Sequence, residues 1–223
     1  MDCSRLDPHP FARRAFAALI VAILLPTTGC GRLLATAIYA WNGGNFVDAE
    51  FEGLESKRVV VVCRPPTSLG FRYPHADRQL ARRVGNLLTL NVDDIEIVNH
   101  RDVDNWADEG DGEDFRDLAK AVEADMVVHI DLIDFDLNKG PTLYQGRAEV
   151  EISVYDMAND DAPVWEKSLG EFVFPAVGGL PTADKSSKQF RKQYLEVLSD
   201  RIARNFYRYD PSFDFALDST AHR

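Results

Sequence analysis

The run RVVVVCR, Arg58–Arg64, constrains the fold of this chain more than any other stretch. Four consecutive valines leave no side for water, so the strand they form is buried on both faces, as in the interior of an α/β sheet. A helix is predicted next: ADRQLARRVGNLLTL, residues 76–90, places Leu80, Val84, Leu87 and Leu88 on one stripe and Arg78, Arg82 and Arg83 elsewhere. IEIVN (95–99) reads as a second strand, and EDFRDLAKAVEA (113–124) as a helix with Phe115, Leu118 and Val122 on one side. DMVVHIDLIDFDL (125–137) reads as a strand again.

The pattern then changes. In LYQGRAEVEISVYDM (143–157), Ala148, Val150, Ile152 and Val154 alternate with Glu149, Glu151, Ser153 and Tyr155. Strict alternation means one face on a core and one in water, which implies antiparallel neighbours. PVWEKSLGEFVF (163–174) supplies another strand. A long helix over 184–208 closes the order with Phe190, Tyr194, Val197, Leu198, Ile202 and Phe206 as its buried stripe. The order β-α-β-α-β-β-β-α implies a two-layer α/β sandwich, a mixed sheet of about five strands with helices packed on one face.

The N-terminus has a different logic. MDCSRLDPHPFARR carries Arg5, Arg13 and Arg14, and AFAALIVAILL, Ala15–Leu25, is an unbroken apolar run. About 20 apolar residues are needed to span a bilayer, so this run is too short for that and matches the core of an export signal. Pro26 ends it, because proline lacks the N–H a helix needs and clashes with the preceding turn. Thr27, Thr28 and Gly29 then lead to Cys30. This stretch resembles a bacterial lipoprotein leader, in which a small residue precedes a cysteine that receives diacylglycerol. "TTGC" matches at Thr28, Gly29 and Cys30, and departs from the family at Thr27, where leucine is usual. The resemblance implies cleavage between Gly29 and Cys30, lipidation including palmitate at Cys30, and a membrane attachment on the periplasmic side. Gly31 in place of aspartate leans the sorting toward the outer membrane by the same resemblance.

The expected organisation is a signal peptide over 1–29, a tether over 30–56, a domain over 57–208 and an acidic tail over 209–223. Within the tether Leu33, Leu34, Ala37, Ile38 and Trp41 recur at helical spacing before Gly43 and Gly44. That short amphipathic helix either lies in the membrane interface or packs on the domain.

Three local texts carry a second resemblance. They are KRVVVV (57–62), LAKAVEADMVVHIDLIDF (118–135) and AEVEISVYDMANDDAPVWEKSL (148–169). They are similar to the first strand, the helix–strand turn and the hairpin of a superfamily of bacterial envelope proteins. Its members include the TolB N-terminal domain, CsgG-type lipoproteins and lipoprotein activators of penicillin-binding proteins. The resemblance implies the α/β fold and the envelope compartment, and the chain is expected to act there as a non-catalytic binding or scaffolding module for another envelope component, with another envelope protein as the expected partner. It implies no reaction and no cofactor, and the chain has no evident pore-forming hairpins of the CsgG type.

Charge and motifs exclude several classes. The net charge is -11, from 36 acidic residues against 25 Lys and Arg, which repels phosphate backbones and argues against nucleic acid as a partner. Of the three cysteines, Cys3 departs with the leader, and Cys63 at the end of the valine run reads as a small core hydrophobe. No phosphate loop, dinucleotide fingerprint, nucleophile elbow or zincin motif occurs.

DVDNWADEGDGEDFRD, residues 102–117, is the densest acidic stretch. It fails as an EF-hand, because a loop starting at Asp102 has Trp106 and Ala107 where a ligand and a glycine are required. It reads instead as a solvated link into the next helix. His129 and Asp131 share a strand face, since side chains two apart do. With the acidic link they form the alternative site, that of a secreted hydrolytic or metal-dependent enzyme. Lys185, Lys188, Arg191 and Lys192 at the start of the final helix read as a solvated face or as a contact for anionic headgroups.

Overall fold

The computed structural model describes residues 46–66, 72–109, 114–159 and 162–211. The leader, the expected lipidation of Cys30 with cleavage after Gly29, the tether helix and the tail from residue 212 lie outside the described residues.

The elements are β1 (Arg58–Arg64), α1 (Ala76–Asn91), β2 (Glu96–Ile97), α2 (His100–Glu109), α3 (Phe115–Ala121) and β3 (Met126–Asn138). They continue with β4 (Leu143–Asp156), β5 (Trp165–Phe174), β6 (Leu180–Pro181) and α4 (Ser187–Ala203). The sheet runs β2-β1-β3-β4-β5, with β6 pairing on β4. β1 is parallel to both β2 and β3, while β4 is antiparallel to β3, β5 and β6. This is the mixed sheet expected from the change in strand pattern.

The two faces of the sheet are covered unequally. Val59, Val61, Val128, Ile130, Ile152 and Val154 point to the face that carries α1 and α4, where Leu80, Val84, Leu88, Tyr194, Leu198 and Ile202 meet them. Each such side chain contributes about 1.5–3 kcal/mol on burial. The alternate valines face the other way. Val60 and Val127 pack with Leu118, Ala119 and Ala124, and Val62, Val103, Trp106 and Phe115 lie half-buried against them. Thus the two-layer sandwich is present in α1 and α4 over the sheet, and the structure adds a small second cover at one end. The valine run requires both covers, because alternate side chains leave a strand on opposite faces.

Local chemistry explains the element ends. Ser186 caps α4 in a reciprocal box with Gln189, so two donors that the helix itself cannot satisfy are paired. Asp114 accepts from the N–H of Arg116 at 2.9 Å and caps α3. Gly146 of β4 is glycine for room: a Cβ there would lie 2.1 Å from the Tyr194 ring, whose hydroxyl donates to the Phe172 carbonyl at 3.0 Å.

Two sequence expectations are revised. The link over 102–117 is not all loop, because residues 100–109 form α2. Its apolar stripe is short, Val103 and Trp106 one turn apart, and reaches the smaller cluster. The final helix stops at Ala203 rather than near 208, although Phe206 and Tyr207 beyond it remain buried. Residues 46–56, read as the end of the approach segment, pack on the domain. Val47 and Tyr209 exchange backbone hydrogen bonds of 2.8 and 3.0 Å, Glu50 and Phe51 both donate to the Asn205 carbonyl, and Leu54 is buried. Among the described residues no helix is long and apolar enough to cross a membrane.

Candidate functional site

The parallel part of the sheet sets the site. After β1 the chain turns into α1 on the larger-core face; after the adjacent β2 it turns into α2 and α3 on the other face. Where neighbouring parallel strands send their connections to opposite faces, a crevice opens at the strands' carboxyl ends. A cleft of about 1030 Å³ lies there. Val61, Ile97 and Val98 contribute apolar surface from the strands and the turn after β2, and Trp106, Phe115 and His129 contribute aromatic surface. Asn86 and Asn99 add neutral polar groups. Gly85 of α1 also lines it, and a Cβ there would meet the Ile97 side chain at 3.2 Å, so glycine sets how closely α1 approaches β2.

Arginines of α1 tie α2 across the cleft. Arg78 reaches Asp108 at 2.5 Å and Asp104 at 3.7 Å, and Arg82 reaches Asp104 at 3.6 Å. The Arg78 hydrogen bond lowers the Asp108 carboxyl below its usual range and raises Arg78 above its own. These bridges are partly or fully solvated, so they orient α2 more than they stabilise the fold.

His129 packs against Phe115, with ring centroids 4.8 Å apart and the planes tilted by 40°. Burial pushes its pKa below the ordinary value of 6.5, Asp131 opposes that shift, and Arg64 adds to it. The ring is therefore neutral near pH 7, with one nitrogen to donate and one to accept. Cys63, half-buried against the larger core, is pushed well above its usual pKa by burial, then by Asp77 and Asp131. It is a protonated thiol, the small hydrophobe that its place in the valine run implies, and a poor nucleophile.

Of the residues in the enzyme alternative, His129, Asp104 and Asp114 line the cleft, whereas Asp131 does not. Asp104 is already engaged by arginine and Asp114 caps α3. Among the described residues no three His, Cys, Asp or Glu side chains are grouped to hold a metal ion. Sequence reasoning missed Trp106 and the arginine ties. The signal was there in two i,i+4 pairs of opposite sign, Arg78 with Arg82 and Asp104 with Asp108, one pair on each helix.

No protein-family model matches this chain, and comparison with curated proteins finds no match either. Several solved structures are similar to this chain at low identity. A PelC dodecamer from Paraburkholderia phytofirmans is 15% identical with a TM-score of 0.47, covering 72% of this chain and 94% of that one. Lipoprotein GNA1162 from Neisseria meningitidis is 11% identical with a TM-score of 0.38, covering 66% and 97%. A minor lipoprotein from Acinetobacter baumannii is 13% identical with a TM-score of 0.33, covering 67% and 91%. Two of these three are bacterial lipoproteins by name. At such identities and TM-scores the likeness carries no argument about ligand or partner, and the resemblance to TolB and CsgG domains stands on the sequence alone.

Proposed function

We propose that this chain is a lipid-anchored protein of the bacterial cell envelope, attached through Cys30 on the periplasmic side with the outer membrane favoured. Its α/β domain acts as a non-catalytic binding module for another envelope component. The observation that carries this reading is the order basic segment, short apolar run, Pro26, small residues, Cys30. The cleft supports the binding role, since it offers apolar and aromatic surface with a few polar groups, the composition of a recognition site. Metabolic labelling with palmitate tests the anchor: the wild type takes up label and Cys30→Ala does not. An unlabelled wild type sinks the anchored reading. For the binding role, a photo-crosslinking side chain in place of Trp106 should trap a partner in intact envelopes, and the same group at exposed Leu90 should not.

A second reading, a secreted hydrolytic or metal-dependent enzyme, draws on one observation: His129 lines the cleft with Asp104 and Asp114. A hydrolytic activity present in the wild type and lost in His129→Ala, with the fold intact, would favour it over the first.

A further inference from the structure

The β3–β4–β5 sheet has a face that α1 and α4 do not touch, and beyond α3 its strands carry acids side by side. Asp131 lies across from Glu151, and Asp134 lies across from Glu149, which lies across from Glu171. Glu166 extends the patch beside Ser153. Glu149, Glu151, Glu166, Glu171 and Asp134 are all exposed. Like charges directly opposite on neighbouring strands destabilise a sheet. Cations on that face among the described residues include Arg64, across from Asp131, Arg147, 3.6 Å from Glu171, and Arg116, 5.3 Å from the centre of the Tyr155 ring.

A second electrostatic conflict sits on the other side of the sheet. Lys188, Arg191 and Lys192 occupy the first two turns of α4, spaced three and four residues apart, where like charges repel. They also sit at the positive end of the helix dipole, whose first turn holds no acidic residue. Lys188 and Lys192 are exposed, and none of the three forms an ion pair among the described residues. Lys185, just before the helix, reaches the Gln193 side chain at 2.7 Å and adds a fourth charge.

Each patch breaks a local rule that the other would repair, and the sheet separates them within one molecule. We propose that the acidic β3–β4–β5 face of one copy receives the start of α4 from a second copy, head to tail. Such a contact uses two different surfaces, so each copy retains one free acceptor and one free donor, and assembly proceeds to a ring or a filament rather than stopping at a dimer. Local conflicts of this kind are expected where a surface serves binding rather than folding. The contact is independent of the anchor and of the cleft.

The test uses the full chain in detergent, in a Cys30→Ala background so that lipidation plays no part. Two variants are made: K188E/K192E, which cancels the positive charge of the helix start, and E149K/E151K, which cancels the net negative charge of the sheet face. Sedimentation velocity should show the parent larger than a monomer at about 50 mM salt and dissociating by about 500 mM, as exposed charges are screened. Each variant alone should associate at least about 100-fold more weakly, because one of its two surfaces no longer offers charge complementary to the other. Mixed in equal amounts, the two should pair, since the unaltered acidic face of the first meets the unaltered helix start of the second. Circular dichroism checks that both stay folded; these are exposed positions. A parent that is monomeric at low salt overturns the proposal. So do folded variants that associate as the parent does, or a mixture that stays monomeric.

Discussion

The two faces of the sheet differ in what covers them, and the contrast separates the part that holds the fold together from the part that leaves a cleft open. The face under α1 and α4 carries a continuous core from Leu54 to Tyr207, closed by stacked rings: Tyr144 on Phe190 at 5.1 Å and Phe172 on Tyr194 at 6.2 Å. On the opposite face α3 and α2 cover one end with a handful of side chains, half of them only partly buried. A helix layer that buries little can leave a crevice beside it, and the cleft lies there. The first face holds the molecule together, and the second leaves a cleft open beside it.

Substitutions can break or sharpen this contrast. Phe190→Ala removes a fully buried ring from the larger core and should cost about 3–5 kcal/mol, read as a fall in the urea midpoint with unchanged slope. Gly146→Ala places a methyl group into the Tyr194 ring and should cost about 1–3 kcal/mol; a neutral result would mean the ring can move aside. Leu118→Ala, in the smaller cluster, should cost about 2 kcal/mol, at the low end for such a truncation because its half-buried neighbours can close in. If it cost as much as Phe190→Ala, the two faces would not differ as described.

Protonation gives a gentler probe. The folded state holds His129 neutral, with a pKa below 6.5, so the stability this contributes is present above pH 6.5. It is lost as pH falls through the lowered folded value, because the unfolded chain takes up the proton first. His129→Gln should therefore reduce the fall in thermal midpoint below pH 6.5. An identical pH profile in the variant would show that the Phe115 face does not exclude the charged ring. The smallest effect belongs to Arg78→Ala. Amide exchange should quicken in α2 while the global unfolding midpoint stays in place, since its bridges to Asp104 and Asp108 are solvated.

α1 and α4 were legible in the sequence because their buried side chains recur at the helical period, and β1 because its unbroken valine run leaves no side for water. The alternation of Ala148 to Val154 likewise revealed which side of β4 faces the core. α2 was not, since its apolar stripe is two residues long and part of what holds it is Arg78 and Arg82, on a helix more than twenty residues earlier. The cleft was illegible for a related reason. It arises from the opposite departures of β1 and β2, a property of topology that no local window contains. His129 and Asp131 do share a strand face, but sharing a face is not sharing a cavity, and only His129 lines the cleft.

The paired hydrogen bonds between Val47 and Tyr209 have a mechanical consequence. They close the two ends of the described chain beside Trp165 and Lys167, at the β5 edge, with Phe51 and Phe206 against Trp165 and Glu50 on Lys167. The cleft opens at the other edge, on β1 and β2. A pull on residue 46 would load the Val47–Tyr209 pair first, and then the Glu50 and Phe51 bonds to Asn205, like the slider of a zip, before it reached β1. Force applied there would be absorbed at the edge of the sheet farthest from the cleft.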